Sequence, residues 1–366
     1  MYALRYLLVR LCVIAILFEG FADAEKHSPK TCDCSDRKHL PSKLRENIVF
    51  VLDTTEVVTT TVKGELHELI KDLTIGEEFV RIAIVNVKIH ADFDKYKNNY
   101  DAQNDIKNIE EIGGSIFQAD LGLEKAKELF DAEEASEKRR SAKNVVVLIT
   151  ARPLDCTEGI IKRKKRSLED YACRIASSMR SDGITIITLP IKGKSSNLPK
   201  ITLASPCFEV VDYENQAANA LQMLCQASCD CEAPFIQVKD EDNCLFYSEC
   251  VYPIFEKMNY TAAQSKCKSM NAALSDILSP QKEAFLDKMA TDNELLPFWV
   301  GQRNNKWDMN EQKANEDYWK NGKYDPKGGE CTVKILLEDG TTAWQQGSCD
   351  QESYFACQKY SSMSIY

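Results

Sequence analysis

Between residues 47 and 227, apolar runs alternate with amphipathic stretches. The runs at 47–53, 81–87, 144–150, 184–189 and 208–211 are mostly apolar at successive positions, the pattern of strands buried on both faces. Helical spacing separates them, over 62–73, through Leu121, Leu123, Ala126, Leu129 and Phe130, through Tyr171, Ile175 and Met179, and through Ala217, Leu221 and Leu224. This alternation predicts an α/β doubly wound parallel sheet over residues 44–227. Ligands of such sheets bind at the carboxyl ends of the strands, where Asp53 stands.

The pattern changes after residue 241. A helix is expected to start at Tyr260 and carry Cys267, and a second at Ser279-Pro280, an N-cap followed by a first-turn proline, with Ala284, Phe285, Lys288 and Met289 at helical spacing. Trp299-Val300-Gly301 reads as an apolar run with Trp299 in the core. The length of the chain suits two domains, so a second is expected over the residues from 242 onward, and 228–241 reads as a short cysteine-bearing linker. At the other end, Arg5 and Arg10 flank an apolar run through Leu17 and Phe18 that closes on Ala22-Asp23-Ala24, the pattern of a secretory signal over 1–24. A membrane span needs about 18 uncharged apolar residues, and Arg10 and Glu19 bracket only eight. Residues 25–43 make a cysteine-containing leader.

Removing residues 1–24 removes Cys12 and leaves 14 of the 15 cysteines, an even number suited to an oxidising, extracellular compartment. The Cys-x-Cys pairs at Cys32/Cys34 and Cys229/Cys231 lack the two-residue gap usual in zinc knuckles, so disulfides are expected. Cys32-Asp33-Cys34 is expected to meet the Cys229–Cys231 segment, with local pairing among Cys156, Cys173, Cys207 and Cys225 and the connectivity left open. The formal charge of -10 disfavours nonspecific nucleic-acid binding. Four scattered histidines, and no nucleophile elbow or phosphate loop, point away from an enzyme.

Val49-Phe50-Val51-Leu52-Asp53, followed by Thr54-Thr55, resembles the first strand and metal loop of the von Willebrand factor A domain. In that family, the resemblance implies, an Asp-x-Ser-x-Ser loop, a Thr and a later Asp hold the metal. Here Asp53, Thr55 and Ser115 match, while Val57 replaces a serine and Ala151, followed by Arg152, replaces the later Asp. One carboxylate is left for a divalent ion, so magnesium is disfavoured and Asp53 is read as a cap or turn residue.

The order Cys267, Phe298-Trp299-Val300-Gly301, Cys331, Trp344, Cys349 and Phe355-Ala356-Cys357 resembles the C-type lectin-like domain. The resemblance covers residues 242–360 and implies an α+β domain with bridges Cys267–Cys357 and Cys331–Cys349, and with Cys244–Cys250 as an additional pair. Calcium-dependent members use a Glu-Pro-Asn or Gln-Pro-Asp triplet and an Asn-Asp pair; this chain has Asp325-Pro326-Lys327 and Gln345-Gln346 there, with Glu330 as a leftover ligand. Calcium is therefore disfavoured and no cofactor is expected. The ligand-binding candidates are Tyr318, Trp319, Tyr324, Asp325, Glu330, Gln345 and Gln346. Asn259-Tyr260-Thr261 is the only N-glycosylation sequon, and the run ending at Arg166 resembles a furin-type cleavage site, which a Cys156–Cys173 bridge would span.

The pairing of the two domains resembles a nematode family of secreted lectin-like proteins. It implies an extracellular carbohydrate-recognition protein, often in innate immune defence, with a glycan or protein ligand on microbial or host surfaces. The alternative is a protein-binding adhesive or matrix module that has lost sugar binding.

Overall fold

β-branched residues fill the strands of the first unit. In β1 (Glu46–Leu52) all seven positions are buried, and β2 (Arg81–Val85) and β5 (Thr185–Pro190) are buried throughout, as strands sandwiched between two helical layers must be. The computed structural model describes Cys34 and residues 44–55, 58–112, 117–136, 142–156, 168–193, 197–211, 214–229, 231–240, 242–308, 319, 324–325 and 327–361. Val57, Ser115, Tyr318, Arg166 and the expected signal lie outside these residues.

Elements of the first unit are β1, α1 (Thr59–Lys71), β2, β3 (Ile89–Ala91), α2 (Asn99–Asp105), α3 (Ala119–Ser136), β4 (Lys143–Thr150), α4 (Leu168–Ser181), β5 and α5 (Gln216–Ser228). The sheet order is β3-β2-β1-β4-β5. β1 pairs in parallel with β2 and β4, and β4 with β5, but β3 is an antiparallel edge. β1, β2, β4 and β5 thus make the expected parallel sheet, and β3, three residues long and too short to show a period, adds the antiparallel edge. The expected strand at 208–211 contributes one parallel bridge, Thr188 to Glu209. Leu123, Ala126 and Phe130 of α3 and Ala172, Ala176 and Met179 of α4 pack on Val49, Val51, Val146 and Leu148 of the sheet.

Cys34 bonds Cys225, closing 191 residues of separation. Cys225, expected to pair locally, thus takes a leader cysteine instead, from the buried face of α5. Cys156 bonds Cys173, and Cys207 and Cys229 are also disulfide-bonded.

The second unit begins at Cys231. It contains β6 (Ile236–Asp240), β7 (Leu245–Met258), α6 (Tyr260–Ser269), β8 (Ala273–Leu274), α7 (Pro280–Asp292), β9 (Phe298–Arg303), β10 (Lys306–Trp307), β11 (Cys331–Leu336), β12 (Thr342–Gly347) and β13 (Ser353–Tyr360). The sheet runs β12-β11-β9-β13-β7-β6. Residues 236–240, expected as linker, are thus a strand of this sheet. Among the described residues no helix is long and apolar enough to cross a membrane.

Bridges Cys267–Cys357 and Cys331–Cys349 form. The expected Cys244–Cys250 pair does not: Cys250 bonds Cys231, and Cys244 is bonded elsewhere. Six residues of extended chain separate Cys244 from Cys250 by roughly 20 Å, beyond the ~7 Å Cα reach of a disulfide. Cys231 reaches it because β6 folds back on β7, with Gln237 opposite Cys250.

Candidate functional site

Two sites were expected, one per domain. In the first, β1 ends at Leu52 and delivers Asp53 to the carboxyl end of the sheet, fully buried. One carboxylate oxygen, Oδ1, accepts from the Thr55 hydroxyl at 2.7 Å and the Thr55 amide at 3.3 Å. The other, Oδ2, accepts from the Thr150 hydroxyl at 2.9 Å and the Ala151 amide at 3.3 Å. A carboxylate has about four lone-pair positions, and all are turned to internal donors. Ala151, where the resemblance places a second acid, contributes only its amide, and the Arg152 amide closes on the Thr150 hydroxyl at 3.0 Å. The result is a knot tying the end of β1 to the end of β4. Asn86, which sequence reasoning missed, extends it by donating to Thr54 Oγ1 at 3.2 Å.

In the second domain, Trp299 and Trp344 are fully buried core residues. Gly301 is forced by packing: a Cβ there would lie 2.6 Å from the Leu274 carbonyl. Trp319 pairs with Trp344 as an isolated bridge, and their rings meet edge to face at 5.7 Å. Only 5% of Trp319 is exposed. Tyr324 packs on it at 5.5 Å and is half-buried. These two candidate platforms for a sugar are instead packed inward on the core of the domain, because a tryptophan of this size stabilises more by burial than by exposure.

The polar candidates are committed as well. Gln346 Oε1 accepts from the Asp325 amide at 2.6 Å, and its Nε2 donates to the Gly329 carbonyl at 3.0 Å. Asp325 Oδ1 accepts from the Lys327 amide at 3.0 Å. Glu330 binds Arg303 at 2.6 Å. Gly329 sits at φ 123°, where a Cβ would strike the Gly347 carbonyl at 2.5 Å. The loop is thus clipped to β12 through one glutamine amide. Gln345 is exposed. Replacing Gln346 by alanine is expected to lose about 1–2 kcal/mol of local stability, a roughly tenfold rise in exchange at Asp325, Lys327 and Gly328 amides. Unchanged exchange would show that another group holds the loop.

Helix α7 carries a feature that apolar spacing concealed. The N-cap Ser279 and Pro280 start α7 as expected, but its inward face carries Lys282 and Glu283 as well as Leu286, Met289 and Ala290, while Ala284 and Lys288 are exposed. Lys282 Nζ lies 2.5 Å from Asp276 Oδ1, 2.6 Å from Glu249 Oε2 and 2.5 Å from Gln358 Oε1. Burial alone would lower its pKa, but Asp276 and Glu249 outweigh burial and hold it raised. On the other side, Lys334 of β11 meets Asp287 at 2.5 Å and Glu283 at 2.8 Å. Burial raises the Glu283 pKa against the opposing Lys334 charge. The helix is therefore fastened by charge to both halves of the sheet.

Comparison with known proteins agrees with this architecture. The von Willebrand factor type A domain model matches residues 47–226, and the C-type lectin domain model matches residues 256–359. A human collagen alpha-6(VI) chain is 27% identical over 164 residues; the match spans 42% of this chain but 7% of that one. Among solved structures, the C-type lectin domain of murine dendritic cell inhibitory receptor 2 is similar over 36% of this chain and 99% of its own, at 19% identity and a TM-score of 0.29. Proximal thread matrix protein 1 from the mussel byssus is similar over 50% of this chain and 46% of its own, at 14% identity and a TM-score of 0.37. The chain therefore joins a von Willebrand factor type A domain to a C-type lectin domain.

Proposed function

We propose that this is a secreted recognition protein that uses its lectin domain without calcium, in defence at microbial or host surfaces. One observation carries the reading: both ends of the Gln346 amide are spent on the backbone of the loop, where calcium-dependent members place metal-bearing side chains. Calcium takes six to eight oxygen ligands, and the remaining acids, Asp325 and Glu330, are engaged with Lys327 and Arg303. The saturated carboxylate of Asp53 supports the same view of the first domain, as a metal-independent protein-binding surface or scaffold. The protein is not an enzyme in this reading.

A second reading, a protein ligand, draws on the inward aromatics: with Trp319 and Tyr324 packed on the core, the described loop offers a sugar face no flat exposed ring. Binding of the full secreted chain to a glycan array, in calcium and again in excess chelator, separates these readings. Signal that persists in chelator is expected. Signal lost in chelator would sink the calcium-independent reading, and no signal on any glycan would leave the protein ligand.

A further inference from the structure

The geometry points to Asn259 as the acceptor of an N-linked glycan, carried where the start of α6 is tied to the turn that follows Gln346. This rests on the proposed secreted location. Asn259 is exposed and is the N-cap of α6, its Oδ1 accepting from the Ala262 amide at 2.9 Å. An N-cap needs only the side-chain oxygen, whereas glycosylation uses the nitrogen, Nδ2, which has no protein partner among the described residues. Cap and acceptor are thus different atoms of one amide, and the helix start does not compete with the modification.

The neighbours divide in the same way. Thr261, the second recognition residue of the sequon, is exposed, while the intervening Tyr260 is fully buried, with its hydroxyl donating to Asp308 at 2.6 Å. Burial, together with the Asp308 charge, pushes the Tyr260 pKa up. Tyr260 therefore fixes the direction of the two flanking residues toward solvent. The Tyr260 amide also donates to the Cys349 carbonyl at 3.0 Å, and Met258 stands opposite Ser353. Asn259 is in this way tied to the 347–353 turn, whose Gly347 directly follows the loop-bracing Gln346.

The donor is a lipid diphosphate oligosaccharide of the secretory pathway. The bond from Nδ2 to the sugar C1 forms, the C1–O bond to the diphosphate breaks, the lipid diphosphate leaves, and the amide gives up one proton. The nitrogen keeps its second hydrogen and the oxygen keeps its cap.

The test expresses the full chain in human cells twice, with its own first 24 residues and behind a secretory leader of established performance. The first arm reports only whether the chain is exported, through its presence in the medium. The second delivers the sequon to the glycosylation machinery in either case, and cell-associated and secreted protein are both treated with peptide N-glycosidase. A mobility shift equal to one glycan is expected for the parent, and none for Thr261→Ala or Asn259→Asp. Asp caps a helix as well as Asn does, and Thr261→Ala leaves the cap untouched, so both variants are expected to fold. A parent without the shift, or a shift surviving in Thr261→Ala, overturns the proposal.

Discussion

Replacing Lys282 by methionine is expected to destabilise the lectin domain by about 3–5 kcal/mol, the cost of leaving buried charges unpaired. The lysine is 1% exposed, and its partners Glu249 and Asp276 are 5% and 2% exposed, so water cannot replace the lost ammonium. Gln358 Oε1 would lose one of three donors, keeping Ser275 Oγ and the Asp276 amide. All four tryptophans of the chain, Trp299, Trp307, Trp319 and Trp344, lie in this domain. Tryptophan fluorescence during urea unfolding therefore follows it without interference from the first domain. Adding Glu249→Gln and Asp276→Asn should restore most of the loss, because the damage comes from the orphaned carboxylates. A methionine variant that unfolds at the parent's urea concentration would show that the triad contributes little.

The same triad explains what the sequence could and could not reveal. Cys267, Cys331, Cys349 and Cys357 with Trp299 and Gly301 were legible through their order along the chain, which resembles a known family, and the structure supplies the reason for each: a bridge, a core ring, a backbone contact too close for a Cβ. The buried strands of the first domain were legible because both faces require apolar side chains at successive positions. Lys282 was not, since its burial depends on Glu249 and on Gln358, 76 residues away, and a lysine in a helix otherwise reads as solvated. The Cys244–Cys250 pair implied by the resemblance failed because the fold-back of β6 on β7 brings Cys231 to Cys250. The loop candidates were found as positions but not as roles, because whether Trp319 faces solvent or Trp344, 25 residues on, is a tertiary contact that spacing does not encode.

In the first domain, stability is expected to fall as pH rises from about 4.5 to about 8, and Glu46→Gln should flatten that slope. Glu46 opens β1 fully buried, opposite Lys143 of β4. Burial pushes its pKa up to about 8, and Ser228 and Lys143 only partly oppose this. The unfolded glutamate titrates near 4.5. Between the two values the native state holds a proton that the unfolded chain has released, so the native state binds more protons and stability declines with pH. Below about 4.5 both states are protonated and the contribution is complete; above about 8 it is lost. At ~1.4 kcal/mol per unit, the window corresponds to at most about 5 kcal/mol. Glutamine keeps the shape and cannot ionise. It should therefore resemble the parent near pH 5 and exceed it by about 2–5 kcal/mol near pH 9, roughly 4–20 °C for a domain of this size. Amide exchange of β1 and β4 as a function of pH measures this directly, because those strands open only with the whole domain. Parallel pH profiles for parent and variant would mean that Glu46 is already charged in the native sheet.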